Sequence, residues 1–368
     1  MKESLFFNFG RKISHRPRIF VRRKAETYIF SICVTTDLDK AFIVADKAIV
    51  NSYVSKLKKV LEKKVPTFLL TFEATERSKN LKSLYYLVER VVSKEVTERS
   101  VIIAVGGGIV GNISGMLAGL LYRGIRLIHV PTTLLAQVDS AADVKQSVNS
   151  CIKKNAIGIY YPPTDVVIDI DVLKTLPARE IRSGLAESIK HALSQDSDFL
   201  EFICTKVNLK KVDLGVLERI IIKTLSLKIK HWRETPLMWN DVPGQKPERL
   251  THLGHTTGKV IEVLQRDKIT HGEAISHGMI IEALCSYKMG IGDKEIIHRM
   301  KNIFEKFRLL YPLNKSVNAP AIIKHLYGTS RKQHSPLFAL LKNIANPDTI
   351  STTIPSEIME KSLLEYGL

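Results

Sequence analysis

The sequence predicts an α/β domain with a Rossmann-like, mostly parallel sheet, followed by an all-α domain. Three observations carry this. Up to about residue 177 short apolar runs alternate with amphipathic ones, the rhythm of a doubly wound sheet. Beyond Pro177 an apolar periodicity near 3.6 dominates and strand signals are few. Between them in character, Val101–Val105 runs into Gly106-Gly107-Gly108 and then a helix, the form of a phosphate-cradling turn. The expected division is residues 1–177 for an α/β nucleotide-binding domain and 178–368 for a helical one. With 368 residues, 45% of them apolar, the chain can build two cores.

In the first part Lys40–Ala45, Pro66–Phe72, Val101–Val105, Leu127–Val130 and Val166–Ile170 read as strands. Ile49–Lys63, Leu81–Ser93 and Asn112–Tyr122 read as the helices between them. In the second part the helical runs are Ala178–Leu193, Leu214–Lys230, Leu250–Leu264, Thr270–Met289, Ile296–Phe307 and Ser356–Leu364. Ser100 to Tyr122 carries no charge over 23 positions, enough to span a bilayer. A buried strand, a glycine turn and a helix with a Gly111, Gly115, Gly119 stripe account for it instead, so no membrane span is expected.

The formal net charge of +18 admits nucleic acid, an anionic surface or an anionic substrate as partner. The lysines are scattered without a long basic run or an RNA-binding signature, so no nucleic-acid partner is expected. Residues 11–24 are the densest basic patch and read as an exposed N-terminal segment without a secretory cleavage pattern. Cys33, Cys151, Cys204 and Cys285 lie far apart with no CxxC, which favours a reduced, cytoplasmic setting.

The chemistry centres on two histidines, His255 and His271, each beside a glycine and sixteen residues apart. At about 100° per residue they would face opposite sides of one helix, so they meet only if the chain breaks between them. Arg266-Asp267-Lys268-Ile269 supplies the break, and Thr270 with Glu273 forms a capping box that puts His271 in the first turn of a new helix. Two histidines from adjacent helices and a helical carboxylate make an open three-ligand metal site; the alternative is one capping and one packing histidine. The carboxylate is Glu187, which shares a helix face with Lys190 and His191 amid apolar neighbours, though that spacing also suits an exposed ion pair. Between Arg123 and Asn155 cations and amides are interleaved with apolar residues, which suggests a partly buried anion site, a charged loop being the alternative.

These pieces, in this order, resemble the sugar phosphate cyclases, the superfamily of 3-dehydroquinate synthase. The resemblance runs from about Asp46 to at least Tyr287 and rests on GGGIVGN, YRGIRLIHVPTTLLAQVDS, KQSVN, LKTLPAREIRSGLAESIK, LGHTTG and HGEA. It implies Glu187, His255 and His271 as ligands of zinc or cobalt. It implies NAD held by Asp46, Glu76, Lys79, Gly106, Gly107, Gly108, Thr132 and Thr133, with Asn112 beside them. Asp139, Lys145, Lys154, Asn155, Glu187, Lys190 and Lys228 fall on substrate-site positions. Arg123 resembles an arginine that reaches the neighbouring subunit's phosphate, which implies a homodimer.

The implied reaction is a phosphate-eliminating carbon–oxygen lyase reaction: transient oxidation, loss of phosphate, reduction and an intramolecular aldol that closes a carbocycle. Asn112, the KQSVN segment, Tyr160-Tyr161-Pro162-Pro163 and Ile269-Thr270-His271 resemble the 2-deoxy-scyllo-inosose synthases, which act on glucose 6-phosphate in aminocyclitol antibiotic synthesis. The remaining alternatives are a 3-dehydroquinate synthase or a cyclase for another sugar phosphate, an NAD-dependent polyol dehydrogenase, and an inactive basic homologue. Four departures predict an altered substrate pocket. His252 stands where the family has Asn or Glu, and Lys259 replaces a histidine. An insertion occupies Pro236–Lys246, with Arg249 offset from the family's downstream arginine. Arg331-Lys332 resembles a phosphate-binding segment without its aspartate.

Overall fold

The computed structural model describes residues 17–234, 252–328, 336–344 and 349–368. The Pro236–Lys246 insertion, Arg249, Arg331-Lys332 and the start of the basic segment lie outside these.

Strand β1 (Arg18–Arg22) and helix α1 (Glu26–Thr35) lead into β2 (Ala41–Asp46), α2 (Ser55–Leu61) and β3 (Thr67–Phe72). Then come α3 (Leu81–Val92), β4 (Val101–Gly106), α4 (Gly108–Leu120), β5 (Arg126–Pro131) and the short α5 (Leu134–Val138). A small ribbon, β6 (Lys145–Val148) with β7 (Ile157–Tyr160), precedes β8 (Asp165–Asp169). The six long-range strands form one parallel sheet in the order β1-β8-β5-β4-β2-β3.

The central strands are unbroken apolar runs whose successive side chains point to opposite faces, so both faces of this sheet must be covered. On β2, Phe42 and Val44 pack with Leu84, Leu87 and Val110 of α3 and α4, while Ala41, Ile43 and Ala45 pack with Ile29, Leu57 and Leu61 of α1 and α2. The order reverses between β2 and β4: β3 extends the sheet on one side, and β5, β8 and β1 extend it on the other. Asp46 and Gly106 therefore end neighbouring strands at the crevice where open α/β sheets bind ligands. The uncharged stretch folds as β4, turn and α4, whose Gly115 and Gly119 face Gln146 and Ile159 of the ribbon. Among the described residues no helix is long and apolar enough to cross a membrane.

The basic N-terminal segment departs from expectation. Arg18–Arg22 pairs residue for residue with Asp165–Asp169 as an edge strand, because Ile19, Phe20 and Val21 supply a strand's apolar alternation between arginines. Arg18 is tied down by Asp165, whose carboxylate is fully buried.

The second part is helical: α6 (Ala178–Gln195), α7 (Ser197–Lys206), α8 (Leu214–Glu234), α9 (His255–Gln265), α10 (His271–Lys288), α11 (Lys294–Lys306) and α12 (Ala319–Tyr327). An antiparallel pair, β9 (Leu337–Leu341) with β10 (Thr349–Thr353), interrupts the helices before α13 (Ser356–Tyr366). Every residue of α10 from Gly272 to Ser286 is buried, so it is the central post of this part and the other helices pack around it.

Candidate metal and dinucleotide site

Glu187, His255 and His271 come from α6, α9 and α10, and their ligand atoms all lie within 4.8 Å of one another. The convergence depends on how closely these helices cross. A Cβ on Gly272 would stand 2.3 Å from the backbone oxygen of Ser183, one turn before Glu187, so only glycine lets α10 meet α6 there. A Cβ on Gly278 would stand 2.1 Å from the Gly254 oxygen, which brings α10 against the start of α9 in the same way. The expected break is a short turn at Arg266–Lys268, with Arg266 in the left-handed region at φ 53°. The Thr270–Glu273 capping box is formed in both directions, and Arg179 of α6 grips the Glu273 carboxylate at 2.7 and 2.8 Å. His271 thus starts its helix at a point fixed from two sides.

The ring nitrogens are sorted by these contacts. His255 donates from Nδ1 to the Leu253 carbonyl at 3.1 Å, which leaves the Nε2 lone pair facing Glu187 Oε1 at 3.3 Å. Burial, and then Lys190 nearby, push His255 down to about 4, so its ring is neutral. His271 Nε2 faces the same oxygen at 3.2 Å. Burial opposes charge on His271, yet Glu187 and Glu262 together push it up to about 10. Burial likewise opposes charge on Glu187, but Lys190 and then His255 hold it well below the usual carboxylate range. Glu187 Oε2 lies 2.5 Å from Lys190 Nζ as an ion pair, and among the described residues it accepts no hydrogen bond. A lone pair and a carboxylate oxygen facing each other at 3.3 Å repel, and a cation bound between them relieves that repulsion. A divalent cation bound by two imidazoles and a carboxylate fits that donor set.

Beside the triad lies a second pair, a buried lysine and a half-buried aspartate. Lys228 of α8 donates to the backbone oxygen of Asp139 at 2.8 Å and to its carboxylate at 2.5 Å. Burial works against the Asp139 charge, but Lys228 outweighs it and brings the group down to about 2. Lys190 and Lys228 are each about 1% exposed, so two ammonium groups are held in the interior by the carboxylates they face.

One cleft of about 950 Å³ connects this cluster to the sheet crevice. Its walls include Asp46, Glu76, Lys79, Gly106, Gly107, Gly108, Asn112, Thr132, Thr133 and Asp139, and it reaches His271. The glycine turn lies at the N-terminus of α4, where backbone N–H groups face the cleft. Thr132 donates its N–H to Gly106, and Thr133 caps α5. Lys79 donates to Asn155 Oδ1 at 2.5 Å, and burial lowers its affinity for a proton. Asn155, at φ 53°, also accepts from Ser147, while Glu76 accepts from Asn149 at 2.7 Å.

Not every expected residue joins the cluster. Lys145 stands exposed on β6, with its backbone N–H on Asp143. Arg123 is exposed beyond the far end of α4, away from the glycine turn, at φ 63°. His252 lies 6.3 Å from His255 ring to ring, and Lys259 is exposed one turn further along α9. Two carboxylates passed over in the sequence are prominent here. Glu262 contacts both Lys154 at 3.1 Å and His271 at 3.4 Å, and its signal was a position seven residues, or two turns, after His255. Glu282, fully buried, accepts from the N–H groups of Gly254 and Thr257 at 2.8 and 2.9 Å and so pins the start of α9; its signal was a carboxylate inside an apolar run.

Two family descriptions match the chain: 3-dehydroquinate synthase N-terminal over residues 69–183, and 3-dehydroquinate synthase C-terminal over 184–332. A bifunctional 3-dehydroquinate synthase/phosphatase of Fusobacterium nucleatum is 36% identical over 277 residues, which cover 74% of this chain but 41% of that protein; the chain thus spans less than half of its length. A 2-deoxy-scyllo-inosose synthase of Niallia circulans is 30% identical over 342 residues, 90% of this chain and 91% of that one. The crystal structure of a 2-deoxy-scyllo-inosose synthase complexed with carbaglucose-6-phosphate, NAD+ and Co2+ superposes with a TM-score of 0.84 at 28% identity, covering 94% and 96% of the two chains.

Proposed function

This chain belongs to the 3-dehydroquinate synthase family of sugar phosphate cyclases, and from that premise we propose that it is a metal- and NAD-dependent 2-deoxy-scyllo-inosose synthase acting on glucose 6-phosphate. The observation that carries the reading is the Glu187, His255, His271 cluster at one end of a cleft whose other end is the Gly106–Gly108 turn. In this reading residues 1–177 hold NAD and residues 178–368 hold the metal and most of the substrate. The working unit is a cytoplasmic homodimer, with Arg123 reaching the neighbouring site.

When bound, NAD takes up and returns a hydride, and zinc or cobalt acidifies a substrate hydroxyl. The residues supply the rest. Asp46, at the end of β2, accepts from the ribose hydroxyls, and the backbone N–H groups of the glycine turn hold the pyrophosphate. Lys154 and Lys190 bind the sugar's phosphate and stabilise it as it leaves. The Asp139–Lys228 pair holds a charged donor and acceptor at the same wall without requiring either to find a partner in solvent. Tethering both reacting carbons in one molecule then favours ring closure.

The test is phosphate release. With NAD and Co2+ or Zn2+, glucose 6-phosphate is expected to liberate inorganic phosphate without accumulating NADH. Release only from sedoheptulose 7-phosphate, or only from the heptulosonate phosphate of the shikimate pathway, would move the substrate and keep the chemistry. Steady NADH production would replace the cyclase with a polyol dehydrogenase. The dehydroquinate alternative is kept because a relative with that activity in its name matches 74% of this chain.

A further inference from the structure

His255 and His271 are oriented by different means. His255 is fixed within its own turn, by the Leu253 carbonyl. His271 has no such local acceptor: its Nδ1 faces Glu262 Oε2 at 3.4 Å, across from the Nε2 that faces Glu187. The other oxygen of Glu262 accepts from Lys154 Nζ at 3.1 Å. Lys154 belongs to the turn between β6 and β7 and stands 3.9 Å from Glu76, on the opposite wall of the cleft. Glu76 in turn accepts from Asn149, so the turn that carries Lys154 is itself held. One carboxylate therefore touches an imidazole of the metal cluster and a lysine of the β6–β7 turn, each through a separate oxygen.

A carboxylate on the outer nitrogen of a metal-binding imidazole fixes the tautomer and the ring plane. A carboxylate beside a lysine holds the ammonium in place and offsets part of its desolvation. We propose that Glu262 does both, as a positioning residue that aims His271 at the metal and holds Lys154 at the substrate phosphate. This rests on the metal- and phosphate-dependent reading above. Because the two contacts use different oxygens, removing the charge disturbs both ends at once, whereas removing Lys154 disturbs one.

Glu262→Gln tests this, since the amide keeps the size but cannot accept on both sides. Co2+ uptake is followed by the visible absorption of the bound ion and by chelator competition, and inorganic phosphate binding is measured on the Co2+-loaded chain. For Glu262→Gln we expect Co2+ affinity to fall about 10–100-fold, with the Co2+ spectrum altered and phosphate affinity reduced. Lys154→Met is expected to weaken phosphate binding while Co2+ affinity stays within about twofold and the spectrum is unchanged, since its partner still faces His271. Glu262→Asp, which keeps the charge but falls short of one partner, is expected to recover one of the two properties and serves if the amide variant fails to fold. Wild-type Co2+ affinity and spectrum in both Glu262 variants would overturn the proposal and leave the metal reading intact. A wild-type chain that takes up no Co2+ would overturn the metal reading and this proposal with it.

Discussion

The two ends of the cleft are built from different materials. At the metal end three side chains from three helices meet in the interior, and their spacing is set by contacts such as Gly272 against Ser183. At the dinucleotide end the functional surface is backbone: a glycine turn, the ends of β2 and β4, and half-exposed amides around them. The first arrangement is accurate but depends on helices staying within a few tenths of an ångström. The second tolerates side-chain change as long as the strands keep their register.

The largest expected effect comes from attacking the metal end without touching a ligand. Gly272→Ala would place a methyl 2.3 Å from the Ser183 oxygen, and since that atom is backbone it cannot swing aside. α10 must move away from α6, carrying His271 from Glu187. Overpacking of this kind costs about 1–3 kcal/mol, and stoichiometric Co2+ or Zn2+ uptake should be lost. Thermal melting and metal analysis check both. A variant that binds metal normally would show that the three helices are not a rigid frame.

A second comparison is electrostatic and concerns acid. Behind the glycine turn His129 is buried, donating from Nδ1 to the Ala141 carbonyl at 3.0 Å, and burial pushes it down to about 4. Unfolded, the ring takes a proton near pH 6.5. Its folded value is the lower one, so the unfolded chain binds more protons between those limits. The stability it contributes is therefore whole above about pH 6.5 and lost as pH falls toward about 4. Denaturant titrations across this window should show a slope that His129→Gln lowers by up to about 1.4 kcal/mol per pH unit. An unchanged slope would mean that the acid sensitivity lies elsewhere, with His191 (about 3) and the metal-free His255 (about 4) as the next candidates.

Much of this was legible in the sequence, and the limit has a physical cause. The sheet strands follow from short apolar runs and the helices of the second part from a period of 3.6, which burial enforces over many residues. The break between His255 and His271 could be read because a capping box has a short-range grammar, and the structure forms it as written. What escaped was set by tertiary partners. β1 reads as a basic arm until Asp165–Asp169 is there to pair with it. Glu262 and Glu282 are ordinary helical carboxylates until α10 lays His271 against one and α9 lays its first turn against the other. Lys145 went the other way: it sits in a polar stretch read as one cluster, but strand alternation turns its side chain to solvent.

The smallest expected effect probes whether the two ends are independent. Asn112 donates to the Gly108 carbonyl at 2.8 Å and accepts from both the N–H and the hydroxyl of Ser147 at 3.0 Å, so it ties the glycine turn to the β6–β7 ribbon. In Asn112→Asp the contacts from Ser147 survive, but an oxygen replaces the donor that faced Gly108. Losing that bond is worth about 1 kcal/mol, and the new charge lies near the proposed pyrophosphate site, partly offset by the positive end of α4. The expected outcome is NAD binding weakened by about tenfold or less, a small fall in melting temperature, and Co2+ affinity unchanged. Calorimetric titration with each ligand separates them. If Co2+ affinity falls as far as NAD affinity, the two ends are coupled through the shared cleft, because Asn112 reaches no atom of the metal cluster directly.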